Sequence, residues 1–227
     1  MRIFSNQLSE KTAQRRAWRT RLVRADGFSL IELTIAMAIL LVMMAGASRL
    51  LMTSLGTRVR ESQKSDALAD AQRALNIMSR EIGNSGFGLD YNGLVAADCR
   101  PTTATDPSGA QIRLRSNLNN TDATTSQADE DVTFVYQGGL TKAIVRYDAN
   151  TNTRTVLAGQ ISAMQFTYID GAGVASTLAT PSAVAAAERV RITVQVSLEP
   201  GAGQPASQVL LTSEIALRNA PNIINRY

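Results

Sequence analysis

The sequence contains no histidine and a single cysteine, Cys99. Without histidine the chain lacks the commonest general base, the usual metal ligand and the partner that activates serine or cysteine nucleophiles. A lone cysteine cannot form a disulfide within the chain, and we assign Cys99 no role. The glycines at Gly83, Gly86 and Gly88 do not complete a nucleotide-binding fingerprint. We therefore expect no catalysis, no cofactor and no metal.

Positive charge is concentrated at the N-terminus. Residues 1–27 carry seven lysines and arginines against two acids, a net +5, and because the whole chain carries +4, residues 28–227 carry about −1. A nucleic-acid-binding domain would keep a basic surface beyond such a leader, so we expect no nucleic-acid partner. Positive residues that flank an apolar span stay in the cytoplasm, so the N-terminus is expected inside and the residues after about 50 outside. A solvated basic tail would explain the charge but not its position.

A single long apolar run covers residues 28–48. A helix of these 21 residues, at ~1.5 Å per residue, spans the ~30 Å hydrocarbon core of a bilayer. Glu32 is the one acid inside the run, and a charge at membrane depth is costly enough to indicate a function. The alternative is that Glu32 lies near the interface and extends its carboxylate into water.

The helix is expected to continue from Phe28 to Ile82, because the first proline is Pro101 and Gly83–Gly86 supplies a stop signal. Apolar residues at three- and four-residue steps predict one buried stripe, and they are Leu51, Leu55, Val59, Leu68, Ala71, Leu75, Met78 and Ile82. Gly46 and Gly56 are expected to weaken the helix locally, because glycine in a helix interior is destabilising. The stripe is interpreted as a packing face for a sheet.

The remainder predicts short strands separated by turns. The expected strands are 111–115, 132–136, 143–147, 154–157, 161–169, 190–196 and 209–217. The polar segment 87–120 is expected to be a functional or mobile loop, and 177–187 a low-complexity connector. The expected fold is α+β, a long N-terminal helix on an antiparallel β-sheet, with a basic leader 1–27, a membrane half 28–48, an amphipathic half 49–83 and a β-rich head 84–227.

Gly27 followed by Phe28-Ser29-Leu30-Ile31-Glu32-Leu33 and the long apolar run resembles the class III signal of type IV pilins and type II secretion pseudopilins. The resemblance implies that a prepilin peptidase cuts the Gly27–Phe28 bond and methylates the new amine of Phe28. Glu32 matches the single acid of the family. It also implies a pilin-like fold and a single-pass inner-membrane precursor with its C-terminal domain in the periplasm.

Cleavage would give Phe28 a cationic amine, and staggered subunits could place the Glu32 of one beside the amine of another. Two buried charges that are each expensive alone are tolerated as a pair. Glu32 is therefore expected to set the axial register between subunits.

Within the family, residues 72–82, then Gly86-Phe87-Gly88, and the closing residues 216–219 are similar to PilW-type minor pilins. J-class minor pseudopilins of type II secretion share this plan. Both resemblances imply a subunit that primes assembly at or near the filament tip, with prepilin peptidase, other minor pilins, the major pilin and the inner membrane as partners. Many major pilins close a C-terminal loop with a disulfide, which Cys99 alone cannot do. The rival interpretations are a pseudopilin and an uncleaved, signal-anchored periplasmic binding domain.

Overall fold

The structure is a computed structural model that describes residues 27–100, 110–119, 124–198 and 205–220. The predicted leader lies outside these residues except for Gly27. The chain divides into two compact units, Met1–Thr57 and Arg58–Tyr227.

A 54-residue helix, α1, runs from Leu30 to Gly83. Its bounds agree with the predicted helix to within two residues at each end. Gly86 follows with a φ of 78°, a conformation that glycine adopts readily and that stops a helix. The predicted stop signal is therefore confirmed.

The packing face of α1 within Arg58–Tyr227 is shorter than the predicted stripe. Buried side chains begin at Ala67 and continue through Ala71, Ala74, Leu75, Met78 and Ile82. The prediction is wrong for Leu51, Leu55 and Val59, which are 61%, 53% and 58% exposed. Periodicity identifies an apolar face, but burial also requires a partner surface.

The second unit contains two four-stranded antiparallel sheets. The first has the order β1-β2-β3-β4, with β1 Gln111–Arg115, β2 Asp131–Gln137, β3 Ala143–Asp148 and β4 Thr153–Ala158. The second has the order β6-β5-β7-β8, with β5 Ile161–Asp170, β6 Ala175–Ser176, β7 Ala187–Leu198 and β8 Ser207–Ala216. The α+β class, a long helix against antiparallel strands, is confirmed, and all seven predicted strands are present.

The strands were expected in one sheet, and the division into two has a local cause. Only Gly159 and Gln160 separate β4 from β5, and Gln160 has a φ of 58°. This left-handed residue turns the chain away from the first sheet, so that β5 pairs with β7 instead of β4. The conformation of one non-glycine residue carries no clear sequence signal.

The predicted connector 177–187 contains a short helix, α2, at Pro181–Ala185. Thr180 caps it by accepting a hydrogen bond from the Ala183 amide at 3.2 Å, and Pro181 occupies the first turn. Threonine followed by proline is a helix-start signal, which the alanine-rich composition concealed.

The core lies where α1 meets the two sheets. Met164, Phe166 and Tyr168 of β5 are buried in it, as are Ile192 and Val194 of β7. Burying each such side chain contributes ~1.5–3 kcal/mol relative to its exposed state.

Candidate assembly site

The predicted cleavage junction lies in chain without regular secondary structure just before α1. Gly27, Phe28 and Ser29 precede the first helical residue, and the Leu33 amide donates to the Ser29 carbonyl at 3.1 Å. Phe28 is 81% exposed. Among the described residues, no atom lies within 4 Å of a Cβ built on Gly27, so their packing does not require glycine there. A requirement for glycine at position 27 would therefore come from another protein that binds this segment.

Glu32 lies in the first turn of α1 and is exposed. A carboxylate in the first turn interacts favourably with the positive end of the helix dipole. Among the described residues no cation forms an ion pair with Glu32.

The helix surface around these residues is apolar and uncovered. Large side chains more than half exposed are Phe28, Leu30, Ile31, Leu33, Ile35, Met37, Ile39, Leu40, Leu41, Val42, Met43, Met44, Leu50, Leu51, Met52 and Leu55. Within the described residues α1 is the one helix long and apolar enough to cross a membrane. An apolar surface of this size is not stable against water, so lipid or other helices must cover it.

The chain that follows α1 is held by hydrogen bonds that the sequence did not predict. Residues 87–94 were expected to be part of a functional or mobile loop, but hydrogen bonds of Ser85 and Asn92 hold the segment from Ser85 to Leu94 in place. The buried Ser85 hydroxyl donates to the Asn92 carbonyl at 2.6 Å, and the buried Asn92 side chain donates to the Val184 carbonyl at 2.8 Å. Asn92 Oδ1 accepts from the Leu94 amide at 3.2 Å. Asn92 thereby joins the chain after α1 to α2, whereas its sequence context indicates only a turn.

Two glycines hold the same segment against β1. The Gly86 amide donates to the Arg115 carbonyl at 2.8 Å, and the Arg115 amide donates to the Gly93 carbonyl at 2.7 Å. Gly93 has a φ of 75° and lies so close to Gly86 and Arg115 that a Cβ would overlap their backbone atoms. Close approach of backbone to backbone explains glycine at this position. Residues 101–109 of the predicted loop lie outside the described residues.

Ion pairs link the strands of the first sheet. Arg113 on β1 binds Asp131 on β2 through two hydrogen bonds of 2.6 and 2.7 Å and also contacts Asp98 at 2.6 Å. Arg115 adds a 3.1 Å contact to Asp131. Burial raises the pKa of Asp131, but the hydrogen bonds and charges of Arg113 and Arg115 outweigh it, so the net pKa is below the ordinary value.

Acid should weaken the head through these carboxylates. The pKa of Asp148 is also lowered, because amide and hydroxyl donors at Asp129, Asn150 and Thr151 outweigh the opposing effect of burial. A carboxylate with a lowered folded-state pKa stabilises the fold above its unfolded pKa of ~3.9, and this stability is lost as pH falls through the folded pKa. We expect the unfolding free energy to fall below about pH 4, measured by chemical unfolding of the full chain in detergent.

The matched variants are Asp131→Asn and Asp66→Asn. Asp131→Asn should lower the unfolding free energy by about 1–3 kcal/mol at neutral pH, because it removes charged hydrogen bonds from Arg113. It should also make the unfolding free energy fall less steeply as the pH drops below about 4. Asp66→Asn changes an exposed acid on α1 and should leave the slope unchanged. If the unfolding free energy of Asp131→Asn depended on pH as that of the wild type does, groups other than Asp131 would control acid unfolding.

A cleft of about 410 Å³ lies between the end of α1 and the first sheet. Inside it, Arg146 binds Glu81 at 3.0 Å and Asp129 at 2.5 Å. Burial raises the pKa of Glu81 more than the charge of Arg146 lowers it. Arg146 thus pairs with two acids, and its contact with Glu81 links the end of α1 to the first sheet.

Cys99 is buried beside Tyr168 in the core. Burial raises the pKa of the Cys99 thiol and of the Tyr168 hydroxyl, so both stay protonated at neutral pH. A buried, protonated thiol is poorly reactive.

The prokaryotic N-terminal methylation motif matches residues 23–48. A comparison with curated proteins gives no match. The matched residues contain Gly27, Phe28 and Glu32, and the motif implies processing by a prepilin peptidase and assembly with other pilins. The chain is thus type IV pilin-like, with an N-terminal methylation signal and an α+β fold, and its signal and apolar helix fit a membrane-anchored pilin.

Proposed function

We propose that this chain is a minor pilin, a non-catalytic subunit that primes assembly of a type IV pilus and remains at or near its tip. The observation that carries the proposal is Glu32, a single acid in the first turn of a helix whose surrounding side chains are apolar and exposed. A single acid on an apolar helix is expensive in lipid and useful where another subunit supplies a cation.

The proposed sequence of events begins with the precursor in the inner membrane. The basic leader keeps its N-terminus in the cytoplasm, and the head lies in the periplasm. Prepilin peptidase cuts between Gly27 and Phe28 and methylates the Phe28 amine. The apolar half of α1 then leaves the lipid and contacts helices of other minor pilins and of the major pilin. There Glu32 pairs with the methylated N-terminal amine of a neighbouring subunit.

The minor role is supported by the resemblance of residues 72–82 and 216–219 to PilW-type minor pilins and by the unpaired Cys99. A minor pseudopilin of a type II secretion system is the second candidate, because its N-terminus makes the same contacts. Deleting the gene separates the two: loss of surface pili and twitching supports the first, whereas loss of protein secretion with intact pili supports the second. The third candidate, an uncleaved and signal-anchored binding domain, predicts that the mature protein keeps its leader.

Glu32→Ala should be processed normally but should reduce surface filaments at least tenfold, because an unpaired buried amine costs several kcal/mol. Filaments are counted by electron microscopy, and processing is followed by the size of the protein. Glu61→Ala is the matched control, since Glu61 is an exposed acid of α1 outside the apolar run and should have no effect. Normal piliation in Glu32→Ala would show that Glu32 does not set register.

A further inference from the structure

The cleft between the end of α1 and the first sheet is suited to an apolar segment of chain. Its volume of about 410 Å³ is in the range of sites that bind ligands, and five of its lining residues are apolar: Ile77, Leu114, Leu118, Val132 and Leu157. The charged residues of the lining are two arginines and two acids, so their formal charges cancel. An occupant with apolar side chains and little net charge therefore matches the cleft.

Hydrogen bonds hold the chain after β8 beside the end of α1. The Arg218 amide donates to the Gly83 carbonyl at 3.3 Å, and the Asn219 side chain donates to the Gly86 carbonyl. Asn84 lies between these two acceptors in the chain, and it lines the cleft. The chain that follows β8 is thus fixed next to one wall of the cleft.

A second contact joins this anchoring point to the opposite wall. Phe87 follows Gly86 directly, and its carbonyl accepts from the Asn117 amide at 2.7 Å. Leu118, the next residue, lines the cleft. Phe87 and Leu118 are 49% and 48% exposed, so apolar surface is available on both segments.

The segment 221–227 lies outside the described residues and follows directly on Ala220, which is buried. Its sequence, Pro-Asn-Ile-Ile-Asn-Arg-Tyr, contains two adjacent isoleucines and one charged residue. Seven residues of extended chain reach ~23 Å. The segment therefore has the composition that the cleft requires, and it is long enough to enter the cleft from its anchored end.

We propose that residues 221–227 occupy the cleft of their own chain, with Ile223 and Ile224 against its apolar walls. In this position the segment fastens the end of α1 to the first sheet and closes the cleft to other subunits. Arg226 then lies within reach of Asp129, whose side chain is 61% exposed. This contact does not depend on the proposed pilin role.

The first test introduces cysteine pairs into the full-length protein in detergent. Leu118→Cys is combined with Ile223→Cys or with Ile224→Cys, because neighbouring side chains of an extended segment point to opposite sides. A disulfide forms only where the Cα atoms approach within about 7 Å. Mild oxidation should link at least one pair within a single chain, as shown by peptide mass spectrometry. Cys99 is buried and should not react.

In the control, Leu140→Cys replaces Leu118→Cys, since Leu140 is fully exposed at the turn between β2 and β3. The ~20 Å length of β2 separates this turn from Val132 in the cleft, whereas the four residues from Ala220 to Ile224 reach only ~13 Å. We expect no disulfide in the control. Absence of a disulfide within the chain in both Leu118 pairs, an equal yield in the control, or a disulfide between two chains would overturn the inference.

A second test uses the stability of the full chain in detergent. Ile223→Asp combined with Ile224→Asp should lower the melting temperature by at least about 3 °C, because charged side chains replace apolar ones in the cleft. Asn225→Asp places the same charge in the same segment without removing an apolar side chain, and it should leave the melting temperature unchanged. An unaltered melting temperature in the isoleucine variant, or an equal fall in the control, would contradict the proposed contact. Filament counts in Glu32→Ala test the pilin role separately.

Discussion

Gly27→Val should leave the precursor uncut and keep the chain out of filaments. Gly27 is exposed, and a Cβ at this position meets no atom of the described residues within 4 Å, so the substitution does not disturb their packing. The loss would arise in the peptidase, which must accept the residue before the scissile bond in its own site. Immunoblotting should show one band of precursor size, with the leader of residues 1–27 retained.

Retention of the leader has a second consequence for assembly. The uncut chain has no cationic amine at Phe28, and its basic leader would have to enter the helical core of a filament. Burial of several unpaired charges is prohibitive, so surface filaments should be lost along with processing. Both effects have the same origin and should appear together.

Gly46→Val is the matched control, because among the described residues no atom lies within 4 Å of its Cβ position and Gly46 lies in the apolar run that follows Gly27. It should be processed at the wild-type rate. Normal cleavage of Gly27→Val would contradict the assignment of the scissile bond, and slow cleavage of both variants would indicate a general defect in membrane insertion.

Gly93→Ala should destabilise the head by at least about 3 kcal/mol, a large part of the 5–15 kcal/mol typical of a folded domain. A Cβ at Gly93 would lie 2.1 Å from the Gly86 nitrogen and 2.3 Å from the Arg115 oxygen. Both atoms belong to the hydrogen-bonded contact with β1, so neither can move without breaking that contact. The positive φ of 75° adds strain.

Gly139→Ala separates the clash from the strain. Gly139 has a φ of 68°, but a Cβ at this position meets nothing within 4 Å, so the cost should be only about 1–2 kcal/mol. Chemical unfolding of the full chain in detergent gives both values. Equal destabilisation by the two variants would show that the segment after α1 is not held against β1 as described.

The sequence predicted the helices and strands better than the surfaces against which they pack. Apolar periodicity located α1 and seven strands, because alternation along β5 and β7 reflects burial directly. It failed for Leu51, Leu55 and Val59, whose spacing matches that of the buried stripe although each is more than half exposed. Periodicity reports which side of an element is apolar, and tertiary contacts decide how much of that side is buried.

The division into two sheets and the binding of Asn92 could not be predicted for a related reason. Gln160 redirects the chain through a left-handed conformation, and Asn92 bonds to Val184, 92 positions further along the chain. Neither residue type specifies such a role by itself. By contrast, Gly27, Phe28 and Glu32 lie within six residues of one another, so the candidate site could be predicted from the sequence alone.

Mass spectrometry of the N-terminal peptide tests the account most directly. Protein isolated from the membrane fraction is digested, and the first residue and its mass are determined. The account predicts a chain that begins at Phe28 and carries a single methyl group on its α-amine. An intact leader, or a first residue other than Phe28, would contradict it.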